Sequence, residues 1–318
     1  MGEYTTGSDE SYTDVICESP PFVNETGLTV CGEPRGFKEI YMAAISCGTP
    51  EEIHQLLSYP GFMIDQHNAF CCTVLQSVAR GHMADGVFIL LKAGANVNIT
   101  DDETGNSVLH DTISNMYSMS DSGENYALHG EAVVKLLVYY GADIHSVNKF
   151  GETALHIAAM IGEPRVVEFL LDQGAYMDLV STSNDGYTPH GNVCNGIEQL
   201  QPHDNMPESD FASVVNKYEE TTVILDNAME YYTKCIDSIM DTCIMSDTMS
   251  LESKQVELEN MMMPLRISET PRQIFQSLSD EGVITPFDDK WMYGDQIDVG
   301  GCMFMKELIE EERSGQSV

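Results

Sequence analysis

The residues of this 318-residue chain best suited to chemistry are a pair of histidines, a cysteine doublet and a dense supply of carboxylates. His110 and His156 could share a metal ion, and Cys71 with Cys72 could act as a redox pair. Their surroundings argue against both. Each histidine stands at the same position of its own copy of a longer pattern, so a structural role is expected. Adjacent cysteines at a helix start point apart, and the sequence shows no cation beside them to favour a thiolate. The nine cysteines are odd in number, and none falls in a C-x-x-C or zinc-finger spacing. No nucleophile elbow, phosphate loop, dinucleotide fingerprint, H-E-x-x-H or calcium loop is present. With 51 acidic residues, close carboxylate pairs carry no information about acid–base catalysis. No catalytic, cofactor or metal residues are therefore assigned, and the chain is read as non-enzymatic.

The charge excludes further classes. Fifteen Lys and Arg against 51 Asp and Glu leave a net charge of −36, which repels phosphate backbones and anionic membrane surfaces. No leader-like apolar stretch opens the chain, and no run of about 18 apolar residues occurs. A reduced, soluble protein of the cytoplasm is expected, with the nucleus also open. Partners are expected to be proteins, not nucleic acid or membrane; the oligomeric state is left open.

What must position any site is a repeat. Its clearest copy runs from Asn148-Lys149-Phe150-Gly151-Glu152-Thr153-Ala154-Leu155-His156 to Leu170-Leu171 and Gly174. Thr153 is suited to cap a first helix, Pro164 to open a second and Gly174 to stop it in the left-handed region. Val166, Val167, Phe169, Leu170 and Leu171 form the second helix's apolar stripe. An upstream copy has the capping box Thr73-Val74-Leu75-Gln76, and Leu75 to Gly94 spans 19 residues, as Leu155 to Gly174 does. A third copy, around Ser107-Val108-Leu109-His110, carries 13 extra residues between its helices, Tyr117 to His129, read as polar and flexible. A worn first copy keeps Ala43-Ala44, Thr49-Pro50-Glu51-Glu52 and Leu56-Leu57. A fifth starts at Gly186-Tyr187-Thr188-Pro189 and then fails, with His190 at the Leu position and helix-poor Gly191, Asn192, Asn195 and Gly196 following.

This pattern resembles the ankyrin repeat, whose period is about 33 residues and whose signature resembles T-P-L-H-x-A-A. The resemblance covers residues 33–190 and implies an all-α solenoid of helix-turn-helix repeats with β-turn fingers, followed by a C-terminal helical region. It also implies binding of another protein through the concave face and the finger tips. In this register those positions include Phe70, Arg80, Asn106, Asn115, Lys149, Phe150, Glu152, Met160, Ile161 and Tyr187. The apolar ones stand where the fold has no need of them, as interface anchors do.

Around the repeats, residues 1–32 hold six acids and no Lys or Arg, and are read as a disordered acidic tail. Residues 191–263 are assigned to long capping helices. A stripe from Phe211 through Tyr218, Leu225, Tyr232 and Ile239 to Cys243 predicts one helix of about 35 residues. Residues 264–318 are read as short helices and irregular acidic chain, with one helix opening at Thr270-Pro271-Arg272-Gln273. Two functions follow. The first is a scaffold or adaptor acting through the concave face. The alternative is a regulatory or oligomerising protein whose C-terminal helices act, including an inhibitor that masks a basic segment of its partner.

Overall fold

The structure, a computed structural model, describes residues 22–23, 29–30, 37–68, 72–116, 123–200, 208–244 and 270–281. The acidic stretch 1–32 lies outside them except for β1 (Phe22–Val23) and β2 (Thr29–Val30), which pair antiparallel. Of the helices expected in residues 191–318, any in 245–269 or 282–318 lie outside the described residues.

Helices come in pairs: α1 (Phe37–Cys47) with α2 (Pro50–Leu57), α3 (Val74–Arg80) with α4 (Ala84–Lys92), α5 (Val108–Ser114) with α6 (Gly123–Tyr139), and α7 (Ala154–Ile161) with α8 (Pro164–Asp172). The local signals act as expected. Thr73 Oγ1 accepts from the Gln76 amide at 3.2 Å while Gln76 Oε1 accepts from the Thr73 amide at 2.8 Å. In α7 the imidazole takes the glutamine's part: His156 Nδ1 lies 2.9 Å from Thr153 Oγ1. Gly174 ends its repeat at φ 107°, a region open to glycine at no steric cost.

No single pair buries its apolar face, so the pairs stack. The first helices form an inner layer, α1 against α3, α3 against α5, α5 against α7; the second helices form an outer one, α2 against α4, α4 against α6, α6 against α8. One continuous core runs through both layers, with Leu56, Leu75, Leu90, Leu109, Leu136, Leu155 and Leu170 essentially inaccessible. Rings close its first end: Phe37 lies 5.1 Å from Tyr59, 5.8 Å from Tyr41 and 6.4 Å from Phe62.

Two expectations need correction. The extra residues of the third copy are not loop throughout: α6 has 17 residues against 9 in α4 and α8, so from Gly123 onward the insertion lengthens the outer helix by about two turns. The fifth repeat does not fail either. A 3-10 turn (Ala175–Val180) leads to α9 (Pro189–Gln199), which joins the inner layer on α7. Thr188 caps it, accepting from the Gly191 amide at 3.2 Å, and Asn192 Nδ2 donates to the His156 carbonyl at 3.2 Å. Tertiary contacts thus supply what helix propensity lacks. His190 takes the Leu position because this repeat is the last of its layer; its Nε2 lies 3.2 Å from Asp226 Oδ1 instead of entering a core.

That aspartate belongs to α10 (Glu208–Ile244), a 37-residue helix in the outer-layer place of the fifth repeat, packed on α8, α9 and the 3-10 turn. Its buried seam is Tyr218, Thr221, Leu225, Ala228, Tyr232 and Cys235. The expected stripe shares Tyr218, Leu225 and Tyr232 with it, while Thr221, Ala228 and Cys235 are buried beside it although they lie off the stripe. Lys217 of α10 pairs with Glu163 at the start of α8, Nζ to Oε1 2.7 Å. Last, α11 (Pro271–Asp280) opens as its sequence predicts: Gln273 Oε1 accepts from the Thr270 amide at 2.8 Å. It lies on α6.

Burial depresses the basicity of the His82, His110, His129 and His156 imidazoles. The fold therefore favours their neutral forms. Their contribution to stability is whole above the ordinary imidazole value of 6.5 and is lost as pH falls below it, because the unfolded chain binds the protons more readily. Burial pushes the Asp111 and Glu163 carboxyls upward, which acts in the opposite sense in the carboxylate range, at lower pH. The urea midpoint is expected to fall between pH 7.5 and pH 5.5; a constant or rising midpoint would contradict the histidine account.

Candidate protein-interaction face

The loops entering α5, α7 and α9 form three successive fingers. The first is folded around Asp101. Its carboxylate accepts from the amides of Thr104 (2.6 Å), Glu103 (2.8 Å) and Asn106 (3.0 Å) and from the Thr104 hydroxyl. Burial opposes ionisation here, but these donors hold the carboxyl below its ordinary range. Thr100 and Ser107 bridge across the finger's base.

Hydrogen bonds tie each finger to the next. The Lys149 amide donates to the Thr104 carbonyl at 2.9 Å, and the Asn184 amide to the Phe150 carbonyl at 2.8 Å. Lys149 Nζ donates to the Asp102 carbonyl and, at 3.2 Å, to that of Glu103. Asn148 Nδ2 reaches both Asn106 Oδ1 and Glu152 Oε2, each at 3.0 Å. His110 spans the same gap, its Nδ1 2.8 Å from Ser107 Oγ and its Nε2 3.1 Å from the Glu152 carbonyl. This is the structural role expected of it.

Behind the fingers the inner helices are also cross-tied. Arg80 on α3 meets Asp111 on α5, Nη2 to Oδ2 2.7 Å and Nε to Oδ2 3.2 Å, and Asn106 Nδ2 holds the other carboxylate oxygen at 3.0 Å. Asn115 Nδ2 donates to the Arg80 carbonyl at 2.6 Å. The sequence showed no cation beside the cysteine doublet, yet Arg80 Nη1 donates to Cys72 Sγ at 3.3 Å; Cys71 lies outside the described residues. The eight-residue separation hides a contact that the helix turns bring about. Arg80→Ala should leave Asp111, whose side chain is 7 % exposed, with half its partners. We expect a loss toward the lower end of about 1–3 kcal/mol in urea unfolding, since Arg80 itself is partly hydrated. A midpoint equal to wild type would show that the pair is not structural.

The ten sequence-assigned residues thus separate. Arg80, Asn106 and Asn115 brace one repeat against another; Glu152 does so only through its carbonyl, which meets His110, its carboxylate accepting from Asn148 of its own finger; and Lys149 is exposed but holds two carbonyls of the preceding finger. Ile161 is 8 % exposed and belongs to the core, and Met160 is half-buried with its carbonyl bonded by Tyr218 Oη at 2.8 Å. Neither is the exposed anchor expected, because α9 and α10 cover the end of α7. Phe70 lies outside the described residues. Phe150 and Tyr187 remain, 55 % and 44 % exposed at the tips of adjacent, bonded fingers. Sequence reasoning missed Val147, 61 % exposed three residues before Phe150; its signal was an apolar residue amid the polar His145-Ser146 and Asn148-Lys149.

Elsewhere Cys194 Sγ lies 4.0 Å from His190 Nδ1, on the side of the ring opposite Asp226. One metal ion could not take all three. Among the described residues no helix is long and apolar enough to cross a membrane.

The family described as Ankyrin repeats (3 copies) matches residues 125–194. Those residues run from α6 into α9 and include the two fingers that enter α7 and α9. The chain contains ankyrin repeats. Its repeats are similar to those of several known proteins. It is 48 % identical over 56 residues to human protein phosphatase 1 regulatory subunit 27, covering 18 % of this chain and 35 % of that one. It is 40 % identical over 68 residues to the human Notch-regulated ankyrin repeat-containing protein, covering 20 % and 59 %. It is 34 % identical over 151 residues to the chicken nuclear factor NF-kappa-B p105 subunit, covering 40 % and 15 %. The chain thus spans about a third of the phosphatase subunit's length. Ankyrin repeats generally mediate protein–protein interaction.

Proposed function

We propose that this ankyrin-repeat protein is a non-enzymatic scaffold or adaptor that holds another protein against its fingers, with Phe150 and Tyr187 as the anchors. The observation that carries the proposal is the exposure of these two rings on a base already rigid: the fingers beneath them are bonded side to side, so binding orders little further chain. Aromatic side chains on such a base are the residues that most often dominate interface energy. That one relative is named a regulatory subunit of a phosphatase agrees with a non-catalytic role. The partner meets the fingers in the reducing cytoplasm or nucleus.

The alternative, action through the C-terminal helices, loses its main support. The apolar seam of α10 faces α8, α9 and the 3-10 turn of its own chain and so is not offered to another copy.

Full-length wild type and the Phe150→Ala/Tyr187→Ala double variant would be compared by affinity capture with quantitative mass spectrometry. A partner held by the fingers should drop about 30-fold or more in the variant, the scale of two anchor losses. The melting temperature should hold, because exposed substitutions change stability by about 0.5 kcal/mol at most. Unchanged recovery of every captured protein would overturn the assignment. Met160 is left out of the variant because its surroundings make it a structural residue.

A further inference from the structure

The position of α11 is out of sequence order. The two layers close with α10, yet α11 returns to the outer face, lies along α6 and reaches back to α4. Phe275, 1 % exposed, sets its ring edge-on to Phe88 of α4, centroids 6.0 Å apart at 84°, and Phe88 meets Tyr140 beyond α6 at 6.2 Å. Ile274 and Leu278 are buried beside it, while Gln273, Gln276 and Asp280 face water. At the far end Glu281 lies 3.3 Å from Arg165 of α8, whose Nη1 is also 3.4 Å from Glu131 of α6. Three successive outer helices thus build one seat for one helix: an apolar socket around Phe88, flanked by a cation.

The ligand of that seat is marginal by itself. A ten-residue helix does not hold in water, where isolated helices shorter than about 12–15 residues are marginal, so α11 is helical because it is docked. Among the described side chains it buries Ile274, Phe275 and Leu278, and its end pairs with an arginine that is 59 % exposed, an ion pair of little worth. In the chain it follows α10 by residues 245–269, so it competes for the seat as part of the same molecule. A weakly held helix is suited to opening without the array.

We propose that the outer face of α4, α6 and α8 is a receptor site for an amphipathic helix, and that α11 is its resident ligand, a latch that keeps other helices of the Ile-Phe-x-x-Leu pattern out. This surface lies on the outer layer, away from the fingers, and stands or falls independently of them.

Two measurements on the full chain test it. Hydrogen exchange of wild type should show the amides of 274–281 exchanging about tenfold or more faster than those of 133–137 in α6, the mark of separate opening. Loss of protection in both segments together would overturn the latch, and this needs no variant. The second measurement uses a fluorescent peptide of residues 268–283. It should bind full-length Phe275→Asp about tenfold or more tightly than wild type, because the tethered competitor is gone. Equal binding to both chains, or to neither while exchange shows Phe275→Asp folded in α4 to α8, would overturn the receptor site.

Discussion

Replacing Tyr218 with Ala is expected to cost the array about 3–5 kcal/mol, the scale of aromatic truncation in a packed core. The melting temperature should fall by roughly 10 °C, given about 2–4 °C per kcal/mol for a chain of this size. The ring is 2 % exposed and sits in a seat made by two glycines. A Cβ on Gly162 would come 2.9 Å from the ring, and one on Gly196 2.6 Å. Its hydroxyl donates to the Met160 carbonyl at 2.8 Å, so one side chain locks α10 onto both α7 and α9. Tyr218→Phe keeps the ring and should cost only the hydrogen bond, about 0.5–1.5 kcal/mol. Urea unfolding of the two variants separates the contributions. Equal losses in both would show that the ring does not anchor the cap.

Gly196→Ala should reverse an ordinary sign. Inside a helix, Gly to Ala stabilises by roughly 0.5–1 kcal/mol, through the unfolded chain's entropy. At position 196 the new methyl would stand 2.6 Å from the Met160 carbonyl oxygen and 2.6 Å from the Tyr218 ring. The first obstacle is backbone and cannot turn aside. A net loss of about 1–3 kcal/mol is expected, as for overpacked cores, and it should be smaller in the Tyr218→Ala background, where one of the two obstacles is gone. Gain of stability in the wild-type background would mean that α7 and α9 are further apart than the structure has them.

These two variants show where local reading stops. Thr73-Val74-Leu75-Gln76 announces its helix start because a capping box is closed within four residues, and Gly174 announces a stop because its φ of 107° strains other residues. The 19-residue spacing from Leu75 to Gly94 and from Leu155 to Gly174 was enough to place the repeats in register. By the same logic α9 should not exist: two glycines and two asparagines count against it, and beyond its Thr188 cap the contacts that hold it lie 36 residues back at His156 and Met160 and 22 ahead at Tyr218.

The candidate site divides the same way. That Phe150 and Tyr187 stand on finger tips followed from register, because a tip position is set by its distance from the helix it precedes. That Ile161 is buried and Met160 half-buried did not follow, since the covering helices lie beyond a stretch read as a break. The Arg80–Asp111 pair joins residues 31 apart and the Arg165–Glu281 pair residues 116 apart. From sequence alone, then, came the helix pairs, their caps and the direction of each apolar face, all consequences of a period of 3.6 and a few special backbone angles. Which faces met was settled by stacking. A repeat exposes as much apolar surface as it buries until a neighbour arrives, and here the last neighbours are a long helix and a short returning one whose contacts no local pattern encodes.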